Sequence, residues 1–273
     1  MKLIDTHIHV WNLEKVSYPW LEGDTSILRR NYTLEELEPA RQAVGVTGGV
    51  LVQAANSWED TEWMLRTAAE HEWISGVVGW LPLEDPDATA RLLEEEWATG
   101  KSGKAGNLLK GVRHLIHNEA DARWLLREPV LESLGLLASR DIPYDVVGII
   151  PEHIATVLEV AERWPDLRMV FDHLNQPRKG AWEGLMKEAA KHENFYVKIS
   201  GLGGKKEMEP AIEFALHYFG GDRCFCGGDW PVALLAGSYE ETWAMYKSIV
   251  EKYTKARDNL FWGNAERFYG LLK

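Results

Sequence analysis

The sequence predicts an α/β fold, a single (β/α)8 barrel over residues 1–273, and three observations predict it. Eight short apolar runs alternate with helix-forming segments from one end of the chain to the other. Most of those runs are near-continuously apolar, as parallel strands covered on both faces are. The 273 residues suit one barrel of this kind, and no Gly/Ser linker or shift of composition divides them.

The strands are expected at 3–10, 48–54, 75–81, 109–116, 143–149, 168–174, 195–201 and 223–229. Helix-start chemistry opens several of the segments between them. Thr33 with Glu36, Ser57 with Asp60 and Ser238 with Glu241 match the reciprocal capping box, and Asp85-Pro86 is an N-cap followed by the favoured first-turn proline. Helices are predicted over 33–44, 58–72, 86–98, 151–164, 182–192, 207–219 and 238–254. Between the fourth and fifth strands Pro129 has no N–H to donate, so it should split the 121–139 pattern in two. Residues 11–32 form a long loop placed to cover a site at the barrel mouth, and Lys101–Gly106 a short solvated one.

Thirty basic against 42 acidic residues, a formal net charge of −12, oppose the clustered cations that nucleic-acid binding needs. A small molecule is the better partner, and the sequence leaves a homo-oligomer open. Asp5, His7 and His9 interrupt the first ten residues, so no signal-peptide core forms there. No apolar run reaches the 18 residues of a membrane span, so a cytoplasmic protein without a membrane partner is expected. Cys224 and Cys226, two apart on one predicted strand, read as buried reduced thiols rather than a disulfide or a metal pair.

Active sites of this fold sit at the C-terminal ends of the strands, and here those ends carry the chemistry. His7 and His9 end the first strand; as i and i+2 they leave one face and can aim two imidazoles at one point. Arg113 and His114 end the fourth, with His117 beyond them in solvent, Asp172-His173 ends the sixth and Asp229 the eighth. Neighbours on a strand face opposite ways, so His173 is expected at the mouth with Asp172 structural, and only one of Arg113 and His114 points straight in. Asp229 precedes Trp230-Pro231, with Ser238 further on as the better cap, and reads as catalytic rather than capping. Lys198, a charge inside a buried strand, is either half of an internal salt bridge or a substrate contact. Of the 13 tryptophans, Trp11, Trp58, Trp80 and Trp230 fall at or just past strand ends, where flat rings could form a platform for a sugar-like substrate. The runs Gly201–Gly204 and Gly227-Gly228 match neither phosphate-binding fingerprint and read as close backbone turns.

The blocks IDTHIHVW (4–11), YPWL (18–21), GVRH (111–114), PYD (143–145), VFDHLNQP (170–177), YVKISGL (196–202), GGDWPV (227–232) and GNAERFYGL (263–271) occur in that order. Together they resemble the amidohydrolase superfamily, and within it the sugar-lactonase branch of fuconolactonase-, rhamnonolactonase- and pyrone-dicarboxylate lactonase-like enzymes. The resemblance implies a distorted (β/α)8 barrel that hydrolyses an intramolecular ester. It carries over His7, His9, His173 and Asp229 as the central constellation, with Arg113 and His114 near the substrate carbonyl. The chain departs from the branch at Ile8, where Gln is common, and at Asn175-Gln176-Pro177, where a Lys is common. With no fifth-strand histidine or bridging lysine, at most one divalent ion is expected, zinc first, held by His7, His9 and Asp229. A metal-free oxyanion pocket is the alternative. The rival activity is a metal-dependent decarboxylase of an aromatic or unsaturated acid; a sugar-binding barrel without catalysis is the non-enzyme alternative.

Overall fold

The computed structural model describes residues 2–98, 108–177, 180–201 and 206–271. The loop expected at Lys101–Gly106 and most of the glycine run after Gly201 lie outside the described residues. Eight parallel strands form one sheet in chain order: β1 (Ile4–Ile8), β2 (Gly48–Val52), β3 (Ile74–Gly79), β4 (Leu109–His114), β5 (Tyr144–Val146), β6 (Met169–Phe171), β7 (Phe195–Ile199) and β8 (Cys224–Cys226). The sheet curls until β8 meets β1. There the Asp229 N–H donates to the His7 carbonyl at 2.7 Å, the His9 N–H to the Trp230 carbonyl at 2.7 Å and the Thr6 hydroxyl to the Cys226 carbonyl at 2.8 Å.

The helices that cover the barrel include α1 (Leu34–Val44), α2 (Trp58–Glu70), α3 (Pro86–Leu92), α4 (Glu128–Ser139), α5 (Pro151–Arg163), α6 (Trp182–Ala189), α7 (Glu209–Tyr218), α8 (Tyr239–Val250) and α9 (Asn264–Tyr269). No helix among the described residues is long and apolar enough to cross a membrane. Ser238 and Glu241 form the full reciprocal cap, and Asp85 caps α3 through the Ala88 N–H. Two caps differ from expectation. Thr33 makes no cap bond, because Glu36 pairs with Arg30 instead; Ser57 accepts the Asp60 N–H, but the Asp60 carboxylate turns back to the Ala54 and Ala55 N–H groups. The 121–139 pattern is in two pieces as expected, a short 3-10 turn at Trp124–Leu126 and α4, with Pro129 in the first turn of α4, where a proline forfeits no hydrogen bond.

Strand alternation separates two cores. Ile4, Val50, Val52, Val78, Val170 and Phe225 fill the lower interior, where α9 plugs the barrel with Phe268 and Tyr269. Leu51, Val77, Val112, Val146, Phe171, Val197, Cys224 and Cys226 face the helices. Both cysteines are buried free thiols. In β1 the pairing with β2 slips by one residue between Asp5 and Ile8. Ile4 therefore points inward while Ile8 packs outward, and His7 and His9 reach the barrel axis.

Strands β5, β6 and β8 are only three residues long, shorter than expected, because the chain leaves the extended region early. After β6, four consecutive non-glycine residues, His173, Leu174, Asn175 and Gln176, take left-handed φ of 52–56°. Each costs about 1–2 kcal/mol, so the turn needs outside support. It receives it from Ser200 Oγ on the His173 N–H (3.2 Å), Asn175 Oδ1 on the Gly148 N–H (3.0 Å) and Trp182 Nε1 on the Leu174 carbonyl (2.9 Å). Asp229, after β8, is left-handed too, at φ 56°.

Candidate active site

At the C-terminal end of the barrel three imidazoles converge on one carboxylate. Asp229 Oδ1 lies 3.3 Å from His9 Nε2, 3.7 Å from His7 Nε2 and 3.9 Å from His173 Nε2. It is buried and has no hydrogen-bond partner, an arrangement that is costly unless a proton or cation lies among these atoms. The His9 ring is fixed by its other nitrogen: Nδ1 lies 2.7 Å from the Val52 carbonyl. A carbonyl only accepts, so Nδ1 carries a proton and Nε2 is the ring nitrogen turned toward Asp229. His173 is seated by Ser200 Oγ, 2.9 Å from Nδ1, and by Gly201. At Gly201, with φ +66°, a Cβ would sit 2.4 Å from that ring nitrogen.

Below this cluster lies a buried ion network. Lys198 Nζ is 2.6 Å from Asp145 and 2.7 Å from Asp172, and Arg113 donates to Asp172 at 2.9 Å and to the Gln53 carbonyl. His7 sits between the cations, with Arg113 Nη1 3.2 Å from Nε2 and Lys198 Nζ 3.3 Å from Nδ1. Burial holds the His7 imidazole well below its usual pKa; the attraction of Asp172 opposes this and the charge of Lys198 adds to it. Burial likewise lowers His173. Burial alone would raise the Asp172 carboxyl, but Lys198, His7 and Arg113 together hold it well below the carboxylate range. Asp145, for which burial outweighs Lys198, is pushed up to about 6. The His7 and His173 imidazoles are therefore neutral at pH 7, standing on a fixed charged floor.

Above them opens a cavity of about 270 Å³, lined by His9, Arg113, His173, Gln176, Asp229 and His117 among apolar Trp20, Ala54, Leu115, Val147, Ile149 and Val232. His9, His173 and Asp229 converge within it among apolar walls, as polar groups do in small-molecule sites. Arg113, its cation, is already bound to Asp172 and Gln53. A more open depression of about 390 Å³ over Leu13–Tyr18, Leu21, Glu22 and Arg29 holds none of these histidines.

Several sequence expectations are corrected here. His173 lines the cavity and Asp172 lies below it in the buried ion network, as expected, but both turn toward the barrel axis, because the strand ends at Phe171 and alternation no longer applies beyond it. Of the β4 pair, Arg113 points in. His114 turns out, stacked on Trp124 at 4.0 Å, taking the Trp80 N–H on Nδ1 and meeting Glu119 at 2.7 Å through Nε2. Lys198 is the internal salt bridge and does not line the cavity. His117, expected in solvent, lines the wall with its Nδ1 on the Val147 carbonyl at 3.3 Å. Trp11, Trp58, Trp80 and Trp230 form no platform at the cavity. Trp11 is buried against Tyr18, Trp20 and Tyr32, Trp230 lies edge-on to Tyr32, Trp80 holds His114, and Trp58 starts α2. The cavity's tryptophan among the described residues is Trp20, anchored through the Ala54 carbonyl at 2.8 Å. Its position in the 11–32 loop, predicted to cover the site, was the available signal; Leu115, Val147, Ile149 and Val232 carry no such signal.

His7, His9 and Asp229 present one donor atom each, all within 4.8 Å of one another. Two imidazole nitrogens and a carboxylate oxygen, one of the rings fixed by a backbone carbonyl, fit a divalent metal ion of the zinc class.

The amidohydrolase family model matches residues 4–271, and the chain belongs to that family. It is 31% identical to an L-fucono-1,5-lactonase of Burkholderia ambifaria, over 98% of this chain and 95% of that one. A second L-fucono-1,5-lactonase, from Burkholderia multivorans, is 28% identical over 98% and 96%. The solved structure of an amidohydrolase from Burkholderia multivorans with bound zinc superposes with a TM-score of 0.88 at 28% identity, covering both chains fully.

Proposed function

We propose that this protein is a lactonase that opens a six-membered, sugar-derived lactone such as L-fucono-1,5-lactone with water. The observation that carries the chemistry is the unpartnered Asp229 Oδ1 among three imidazole Nε2 atoms at the bottom of a largely apolar cavity. The two L-fucono-1,5-lactonases, alike over nearly their whole length, support the substrate class.

His7, His9 and Asp229 would hold one divalent ion, zinc first. When bound, such an ion polarises the ester carbonyl and lowers the pKa of water toward ~7. The protein's own groups do the rest. Asp229 accepts a proton from the attacking water as its oxygen bonds to the carbonyl carbon. The carbon–ring-oxygen bond then breaks, and Asp229 returns the proton to the departing alkoxide, leaving an open-chain hydroxy acid. His173, neutral and fixed by Ser200, holds the third side of the carboxylate. Arg113, held by Asp172 and the Gln53 carbonyl, keeps a fixed positive charge beside His7. The apolar wall and Trp20 exclude competing water and suit a neutral, partly apolar ring.

The test is a pH-indicator assay on a panel of five- and six-membered aldonolactones, with L-fucono-1,5-lactone included, before and after removal of metal by a chelator. Turnover of a six-membered lactone, lost on chelation and restored by one equivalent of zinc, is expected. No turnover on the panel, with carbon dioxide released from an aromatic acid, would sink the reading in favour of decarboxylation. Two tightly held equivalents of metal per chain would contradict the single-ion site. Full activity after chelation would transfer carbonyl polarisation to a metal-free pocket.

A further inference from the structure

Asp5 lies outside the cavity and the mechanism above does not use it, yet its buried carboxylate ties together the two edges that bear the proposed ligands. Asp5 Oδ1 accepts the backbone N–H of His7 at 2.9 Å and of Gly228 at 2.7 Å, and Oδ2 accepts the Tyr239 hydroxyl at 2.7 Å. Those donors belong to β1, to the turn after β8 and to α8. One is the amide of His7 itself; another immediately precedes Asp229, whose own N–H donates to the His7 carbonyl. The joint has no slack: a Cβ on Gly228 would lie 2.5 Å from Asp5 Oδ2 and 2.6 Å from the Tyr239 ring. β8 itself ends at Cys226, so beyond it the seam with β1 is held by single bonds, the Asp229 N–H on the His7 carbonyl and the His9 N–H on the Trp230 carbonyl, with the Asp5 carboxylate as the side-chain tie beside them.

We propose that Asp5 is a positioning residue that sets the separation of the His7 and His9 imidazoles from the Asp229 carboxylate across the β1–β8 seam. This rests on those three side chains forming one working set. The role is geometric. A single oxygen accepts two N–H groups, which an asparagine amide oxygen can also do while its NH₂ donates to the Tyr239 oxygen.

The full-length protein is compared with Asp5→Asn, Asp5→Ala and Gly228→Ala. Circular dichroism checks the fold, steady-state kinetics give kcat and KM, and cobalt(II) titration of chelator-stripped protein, followed by its visible absorption, gives Kd. Asp5→Ala is expected to lower kcat and weaken cobalt binding by about 10–100-fold each, the usual cost of losing a group that orients a ligand. KM should stay within about threefold, because Asp5 does not line the cavity. Asp5→Asn should recover most of both losses. Gly228→Ala, which pushes into the carboxylate without removing it, should reproduce them, and it decides the matter with Asp5→Asn if Asp5→Ala does not fold. A folded Asp5→Ala with kcat and Kd near wild type overturns the proposal, as does an Asp5→Asn no better than Asp5→Ala. Wild-type protein that binds no cobalt while the kcat pattern holds would fell the metal reading and leave the positioning role standing.

Discussion

Replacing Asp229 with asparagine removes the proposed base and replaces a carboxylate ligand by an amide oxygen of the same size, so the variant's metal content is measured beside its activity to separate the two roles. Asp229 occupies left-handed backbone at φ 56°, a region asparagine also tolerates, so the turn into Trp230 should persist. An alanine there would add about 1–2 kcal/mol of backbone strain and confuse stability with catalysis. The buried Oδ1 has no hydrogen bond to lose, so folding should change little. What disappears is the base among three Nε2 atoms at 3.3, 3.7 and 3.9 Å. Lost general acid–base catalysis costs ~10²–10⁴ in rate, which is about 2.7–5.4 kcal/mol of barrier. The assay is kcat/KM on the best lactone of the panel, with circular dichroism and a urea titration to show an intact fold. A folded Asp229→Asn protein retaining more than about a tenth of wild-type kcat/KM, a loss under ~1.4 kcal/mol, would refute the reasoning. The proton would then be taken elsewhere, with His173 the next candidate at the cavity.

Lys198→Met should destabilise the fold by about 3–5 kcal/mol in urea at pH 8, because Asp145 and Asp172 are left buried with Arg113 as their remaining cation. The loss should shrink below pH 6, where Asp145, already raised to about 6 by burial, takes up a proton; an effect under ~1 kcal/mol at both pH values would show that the network does not hold the barrel. Gly201→Ala places a Cβ 2.4 Å from the His173 ring at φ +66°. A folded protein with kcat/KM about 10–100-fold lower is expected, and unchanged kinetics would show that His173 need not sit where it does. Burial pushes the Cys224 thiol up to about 12 and Cys226 well above the ordinary value near 9, so a thiol reagent at pH 8 should label neither in the native protein and both in denaturant. Since the folded pKa values exceed the unfolded ones, the thiols' contribution to stability is intact below pH 9 and falls as pH rises beyond it; rapid native labelling at pH 8 would contradict this burial.

Much of this molecule was legible in the sequence. The eight apolar runs became the eight strands in order, and His7, His9, His173 and Asp229 met at the mouth, because strand ends in a barrel of sequential parallel strands must converge there. The capping of α8 by Ser238 was equally local, since its partners lie three residues apart. What linear reading could not supply was the direction of side chains where strands stop being strands. Alternation predicts facing only while the backbone stays extended. The slip in β1 reversed parity between Ile4 and Ile8, and the left-handed run from His173 let adjacent residues both turn inward, His173 to the cavity and Asp172 to the ion network beneath it. Arg113 rather than His114 turned inward because Asp172 and the Gln53 carbonyl bind its guanidinium, while Trp80, Trp124 and Glu119 hold the imidazole outside. Trp20, His117, Val147 and Ile149 reach the cavity from loops after different strands. Their place is fixed by contacts with residues distant in the chain, and those form only once the barrel has closed.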